Sequence, residues 1–82
     1  MMYSMIRDEL IKVIGNFFKI DTNIITDDFG PKDIKNWDSL NHLKLCIEIE
    51  KNFKIRFEQE DIESLISFKI IYKTVKMYIS EN

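Results

Sequence analysis

The chain predicts an all-α fold: a small four-helix bundle of three long helices and one short one, with a long first loop. Three observations carry this. Apolar residues recur at helical spacing in three separate stretches. Two Gly and one Pro among 82 residues, set against many Ile, Leu, Phe and Lys, favour helices joined by few turns. A hydrophobic content of 45% over this length is enough for one modest core and leaves no room for a second, so a single domain over residues 1–82 is expected.

The first helix is expected from about Met2 to Phe18. Ile6, Leu10, Val13, Ile14 and Phe17 stand at i, i+4, i+7, i+8 and i+11, while Arg7, Asp8, Glu9 and Lys12 lie off that stripe. Gly15 weakens the helix without overruling the pattern. From about Lys19 to Trp37 no period holds. Ile20, Ile24, Ile25, Phe29, Ile34 and Trp37 are dispersed through this polar stretch and can pin it across the helix ends, with Asp27, Asp28, Gly30 and Pro31 supplying turn chemistry. The second helix opens at Trp37-Asp38-Ser39-Leu40. Its apolar residues recur as Leu40, Leu43, Cys46, Ile47 and Phe53, broadened by Leu45 and Ile49, and Asn41, Lys44, Glu48, Lys51 and Asn52 gather on one polar face.

Lys54 to Phe57 reads as an extended link with Ile55 and Phe57 turned inward. Gln59 to about Leu65 follows as a short third helix with Glu60 and Asp61 in its first turn, where negative charge suits the helix dipole. Ser67 is placed to cap a last helix in which Phe68, Ile71, Tyr72, Val75 and Ile79 keep helical spacing and Lys69, Lys73 and Lys76 fall outside.

Asp38 and Ser39 open the second helix. Asp and Ser are ordinary caps, since their short side chains accept hydrogen bonds from backbone N–H groups that have no partner inside the helix. A hydroxyl there has a second use, because the unpaired N–H groups and the positive end of the helix dipole favour a phosphate.

Asp38-Ser39-Leu40, opening an apolar helix about halfway along a short acidic chain and preceded by Trp37, resembles the attachment site of stand-alone acyl carrier proteins. The resemblance runs on through Asn41 to Phe53 and, more loosely, into Ile55, Phe57 and the acidic run Glu58 to Glu63. It implies that Ser39 carries 4'-phosphopantetheine, that Asp38 and Leu40 flank it as recognition elements, and that Asn41, Lys44 and Glu48 belong to the partner-facing surface. The implied partners are a phosphopantetheinyl transferase and the acyl- or aminoacyl-loading and transferring enzymes. The family often shows a Leu-Gly pair shortly before the Ser; Ile34 and Asn36 stand here instead, which leaves the loop's local path open. Carriers of fatty acid biosynthesis typically show an acidic second helix. Asn41, Lys44, Lys51 and Asn52 make this one mixed, which implies a different partner set and a specialised carrier of lipid metabolism.

Other chemistries find little support. A net charge of −2 and a pI near 5.3 argue against nucleic acid as a partner. No run reaches the roughly 18 to 20 apolar residues of a membrane span and no secretory signal opens the chain, so a cytoplasmic, monomeric carrier without membrane insertion is expected. The single cysteine, Cys46, forms no internal disulfide and reads as a buried thiol, and no Cys or His cluster has metal-ligand spacing. His42, near Asp38 and Ser39, suggests a catalytic set, but an exposed helix turn offers no oxyanion pocket, so no enzyme is expected and His42 reads as packed or as lying beside the prosthetic arm. Glu58, Glu60, Asp61 and Glu63 lack the alternating ligands and Gly of a calcium loop. Six Phe and one Trp in so small a chain leave little spare volume, which predicts short or polar cargo. Two alternatives stay open: an aminoacyl or peptidyl carrier, which uses the same motif, and an unmodified helical adaptor in which Ser39 is only a cap.

Overall fold

A computed structural model describes the backbone of residues 2–81 and the side chains of residues 5–80, so the two ends of the domain expected over 1–82 lie outside the described residues. The helices are α1 (Met2–Phe18), α2 (Ser39–Phe53), α3 (Gln59–Glu63) and α4 (Phe68–Glu81), and α1 packs against both α2 and α4. Among the described residues there is no strand, and no helix is long and apolar enough to cross a membrane.

In α1, Leu10 and Ile14 are fully buried, with Ile6, Val13 and Phe18 beside them. The stripe shifts by one residue at its end, since Phe17 is only half-buried and its neighbour Phe18 turns inward. The chain doubles back just after α1, near Gly15. The Gly15 carbonyl accepts from the Ile20 N–H at 3.0 Å, and Lys19 takes a left-handed conformation (φ 56°) to make the turn.

The long connection is more ordered than its lack of period suggests. It contains two 3-10 turns, Thr22–Ile24 and Pro31–Asp33, the first capped by the Asp21 carboxylate. Ile25, Phe29 and Trp37 are buried as the composition suggests, but Ile24 faces outward at 48% exposure. The loop also completes a helix it does not belong to. The carbonyls of Phe29 and Asp27 accept from the Phe68 and Lys69 N–H groups at 2.7 and 3.0 Å. With the Ser67 hydroxyl accepting from the Ile70 N–H at 3.3 Å, the first turn of α4 has its otherwise unpaired donors satisfied.

The second helix corrects the sequence reading. The buried residues are Leu45, Cys46 and Ile49, whereas Leu40, Leu43 and Ile47 are 61%, 50% and 50% exposed. Two apolar stripes run along α2, offset by one residue and hence by about 100° around the axis. The stripe formed by His42, Leu45, Cys46, Ile49 and Phe53 faces the bundle, and the one formed by Leu40, Leu43 and Ile47 is left as an exposed apolar ridge. The helix ends where Lys54 turns left-handed (φ 57°) and the Lys54 and Ile55 N–H groups both reach back to the Glu50 carbonyl.

Beyond it Ile55 and Phe57 are buried as expected, and α3 stops at Glu63, two residues short of the expected end. Asp61 accepts a hydrogen bond from the Tyr78 hydroxyl, which itself accepts from the Glu58 N–H at 2.9 Å, tying α3 to α4. The bond to Asp61 is the main reason the Tyr78 phenol is held above its ordinary pKa. The core is closed by Leu65, Phe68, Ile71 and Val75, and among the described residues no polar or charged side chain is buried in it.

Candidate functional site

At the start of α2, Asp38 has extended backbone (φ −97°, ψ −175°) and its carboxylate accepts from the Asn41 N–H at 2.9 Å. It is therefore the cap, and Ser39 is the first residue of the helix proper. Asn41 supports the arrangement by donating from its side chain to the Asn36 carbonyl at 2.7 Å, which fastens the helix start to the loop before it. Because the Asp38 carboxylate already satisfies the Asn41 donor, an anion on Ser39 has less of the helix end to itself than the sequence suggests. Replacing Asp38 by Ala is expected to lower stability by about 1 kcal/mol, with Asn recovering most of it, as read from urea unfolding midpoints.

The cap leaves the next side chain free. Ser39 is exposed, and its hydroxyl has no hydrogen-bond partner among the described residues. Leu40, beside it, is the first member of the apolar ridge that continues through Leu43 and Ile47. Of the polar residues singled out on this helix, Lys44 is exposed and makes no ion pair among the described residues, and Glu48 is half-buried and lies 4.0 Å from Lys51. Asn41 thus belongs to the structural cap, while Lys44 and Glu48 remain on the accessible side.

Ser39 stands at the edge of an open groove of about 820 Å3 between the start of α2 and α3, walled by Trp37, Leu43, Phe57, Ile62 and Ile66. The groove is open to solvent and is not a cavity within the bundle, so it does not bear on the expectation that six Phe and one Trp leave little spare volume inside. Trp37 is spent on packing, with its ring centroid 4.9 Å from Phe18 and 5.8 Å from Phe29, so the aromatic residues line or underlie the space and do not fill it.

His42 also borders this groove, and the sequence placed it without assigning its bonds. Its Nδ1 accepts from the Trp37 indole N–H at 2.9 Å and its Nε2 lies 2.7 Å from the Ile62 carbonyl. An indole nitrogen only donates and a carbonyl only accepts, so the ring proton is on Nε2. With both nitrogens committed, His42 is not poised as a base for Ser39. Cys46, one turn further along, is buried and its thiol is pushed up to about 11, chiefly by burial and further by Glu50, so it is no nucleophile at neutral pH. Among the described residues no cluster could hold a metal ion.

No family model matches the chain. It is 39% identical over 59 residues to the acyl carrier protein of Brachyspira hyodysenteriae, covering 71% of this chain and 76% of that one. It is 28% identical over 74 residues to the acyl carrier protein of Syntrophobacter fumaroxidans, covering 90% and 86% of the two chains. The solution structure of holo acyl carrier protein from Geobacter metallireducens superposes with a TM-score of 0.82 at 25% identity, over 92% of this chain and 86% of that one. With these relatives, this helix order and an unencumbered serine at the head of α2, the chain belongs to the acyl carrier protein family.

Proposed function

We propose that this protein carries 4'-phosphopantetheine on Ser39 and holds acyl intermediates as thioesters while biosynthetic enzymes act on them. The observation that carries the proposal is the Ser39 hydroxyl, exposed at the first residue of α2, free of any partner among the described residues and at the edge of an apolar groove. When attached, the prosthetic group supplies the terminal thiol for thioester chemistry. The chain's own residues present it: Asp38 holds the helix start, Asn41 locks that start to the loop, and the exposed Ser39 Oγ becomes the ester oxygen. The protein is a carrier and not an enzyme. Tethering raises the effective concentration of the intermediate at each partner and keeps it out of bulk solvent.

Partner enzymes, beginning with a phosphopantetheinyl transferase, dock on the exposed α2 surface in this reading. Leu40, Leu43 and Ile47 supply apolar contact, and Lys44 with the Glu48–Lys51 pair supplies a mixed rim. A rim with an unpaired cation penalises a basic partner surface, which favours a specialised pathway over general fatty acid synthesis. We place this activity in the cytoplasm, with residues 1–82 acting as one monomeric carrier domain.

Co-expression with a broad-specificity phosphopantetheinyl transferase, followed by intact-mass measurement, tests the assignment. The wild type is expected to gain the mass of one phosphopantetheine and Ser39→Ala to gain nothing. An unchanged wild-type mass would instead favour an unmodified adaptor that binds through the apolar ridge.

A further inference from the structure

His42 occupies a place where the helix pattern calls for an apolar residue. It heads the stripe that continues through Leu45, Cys46 and Ile49, all buried. A polar ring in that stripe is tolerated because both nitrogens find partners. Those partners sit on opposite walls of the groove beside Ser39: the Trp37 indole on the loop side, and the Ile62 carbonyl on α3. The two rings lie edge to edge, with planes 28° apart and centroids separated by 6.1 Å, as an in-plane N–H···N bond requires.

We propose that His42 is the positioning residue of this groove, a latch that ties Trp37 to α3 while the imidazole is neutral and lets go of Trp37 when Nδ1 takes a proton. The functional consequence rests on Ser39 bearing the arm; the latch itself does not. A proton on Nδ1 leaves two N–H donors facing each other, so the indole loses its acceptor while the Nε2–H bond to Ile62 survives. The charged groups that share the groove with His42 are Asp38 at the cap of α2 and Glu63 on α3. Asp61, beside Ile62, is engaged by the Tyr78 hydroxyl, and the Cys46 thiol stays neutral. Among the described residues no charged side chain of α1 or α4 lines the groove. An imidazolium therefore turns from the indole toward the Asp38 and Glu63 carboxylates. An apolar group on the arm then meets a charge where it had met a neutral hydrogen-bonded aromatic pair, so the groove holds such a group in neutral solution and releases it in acid.

Trp37 is the only tryptophan in the chain, so its indole N–H resonance reports the latch directly in the full-length unmodified protein. Between about pH 8 and about pH 5, where histidine is the side chain that ordinarily changes charge, that resonance is expected to move, and its protection, taken as the exchange rate relative to free indole at the same pH, to fall by about tenfold, the equivalent of one ordinary hydrogen bond. The backbone amides of α3 are expected to shift with the same midpoint. Two variants separate the two bonds. His42→Asn keeps an acceptor near the Nδ1 position, so its indole signal stays close to the neutral wild-type one at every pH. His42→Gln keeps a donor for Ile62 but no acceptor for the indole, so its signal rests near the acid wild-type one and does not titrate.

A flat wild-type titration overturns the proposal and needs no variant to show it. Persistence of the response in His42→Gln also overturns it, by assigning the response to the carboxylates, and so does an indole shift that leaves the α3 amides still. Because the unmodified protein suffices, a failure of Ser39 to accept phosphopantetheine leaves this test intact.

Discussion

Phe68→Ala is expected to destabilise the protein by about 4 kcal/mol, the upper range for removing a large aromatic side chain from a core. The ring is 0% exposed, stacks on Tyr72 with centroids 6.2 Å apart, and carries the Arg7 guanidinium 5.4 Å above its face. Truncation leaves a cavity at the start of α4 and removes the surface on which the Arg7 guanidinium rests. A domain of this length has about 4 to 12 kcal/mol in total, so the loss removes between about a third and all of its stability. Urea unfolding followed by circular dichroism measures it. A loss below about 1.5 kcal/mol would mean that neighbouring side chains collapse into the space and that this part of the core is loosely packed.

Gly30→Ala is expected to cost about 3 kcal/mol for a different reason. Gly30 has an extended backbone (φ −169°) that any residue adopts, so its requirement is for space. A Cβ there would lie 2.3 Å from the Ile66 carbonyl oxygen and 3.2 Å from its carbon. Backbone cannot swing aside as a side chain does, so the loop must lift from the start of α4. That movement strains the bonds from Phe68 to Phe29 and from Lys69 to Asp27, and overpacking together with loss of such bonds reaches this magnitude. Gly15→Ala is the control. Its Cβ would meet the Thr22 Cγ2 at 2.8 Å, a methyl at the tip of an exposed side chain, and replacing a helical Gly gains about 1 kcal/mol in propensity. Near-zero change at Gly15 beside a large loss at Gly30, in the same unfolding assay, is the expected pair. Equal effects at both positions would show that the contact between loop and α4 is dispensable.

Much of this architecture was legible in the chain because it depends on neighbours close in sequence. Helical spacing from Ile6 to Ile14 and from Phe68 to Val75 placed α1 and α4 with their buried faces. Asp38 declared itself as a cap by residue type, and the same local chemistry put Ser39 at the helix head. The loop's apolar anchors were visible as a composition, although only some of them face inward.

Other features were not legible, and α2 shows why. Two apolar stripes one residue apart fit its sequence equally well, and periodicity within a single helix contains nothing to choose between them. The choice came from α1, which packs on α2, and from the shared core to which Phe57 and Leu65 belong, all of it assembled only by folding. The same applies to His42, whose partners lie five residues before it and twenty after. It applies equally to Gly30, whose constraint is the carbonyl of a residue thirty-six positions away. Local pattern determined that this chain makes helices, where they begin, and that a serine hydroxyl stands at the start of one. Tertiary packing decided which faces meet, what walls the groove beside that hydroxyl, and which ring holds the walls together, because each of those depends on distances between residues that the chain order leaves free.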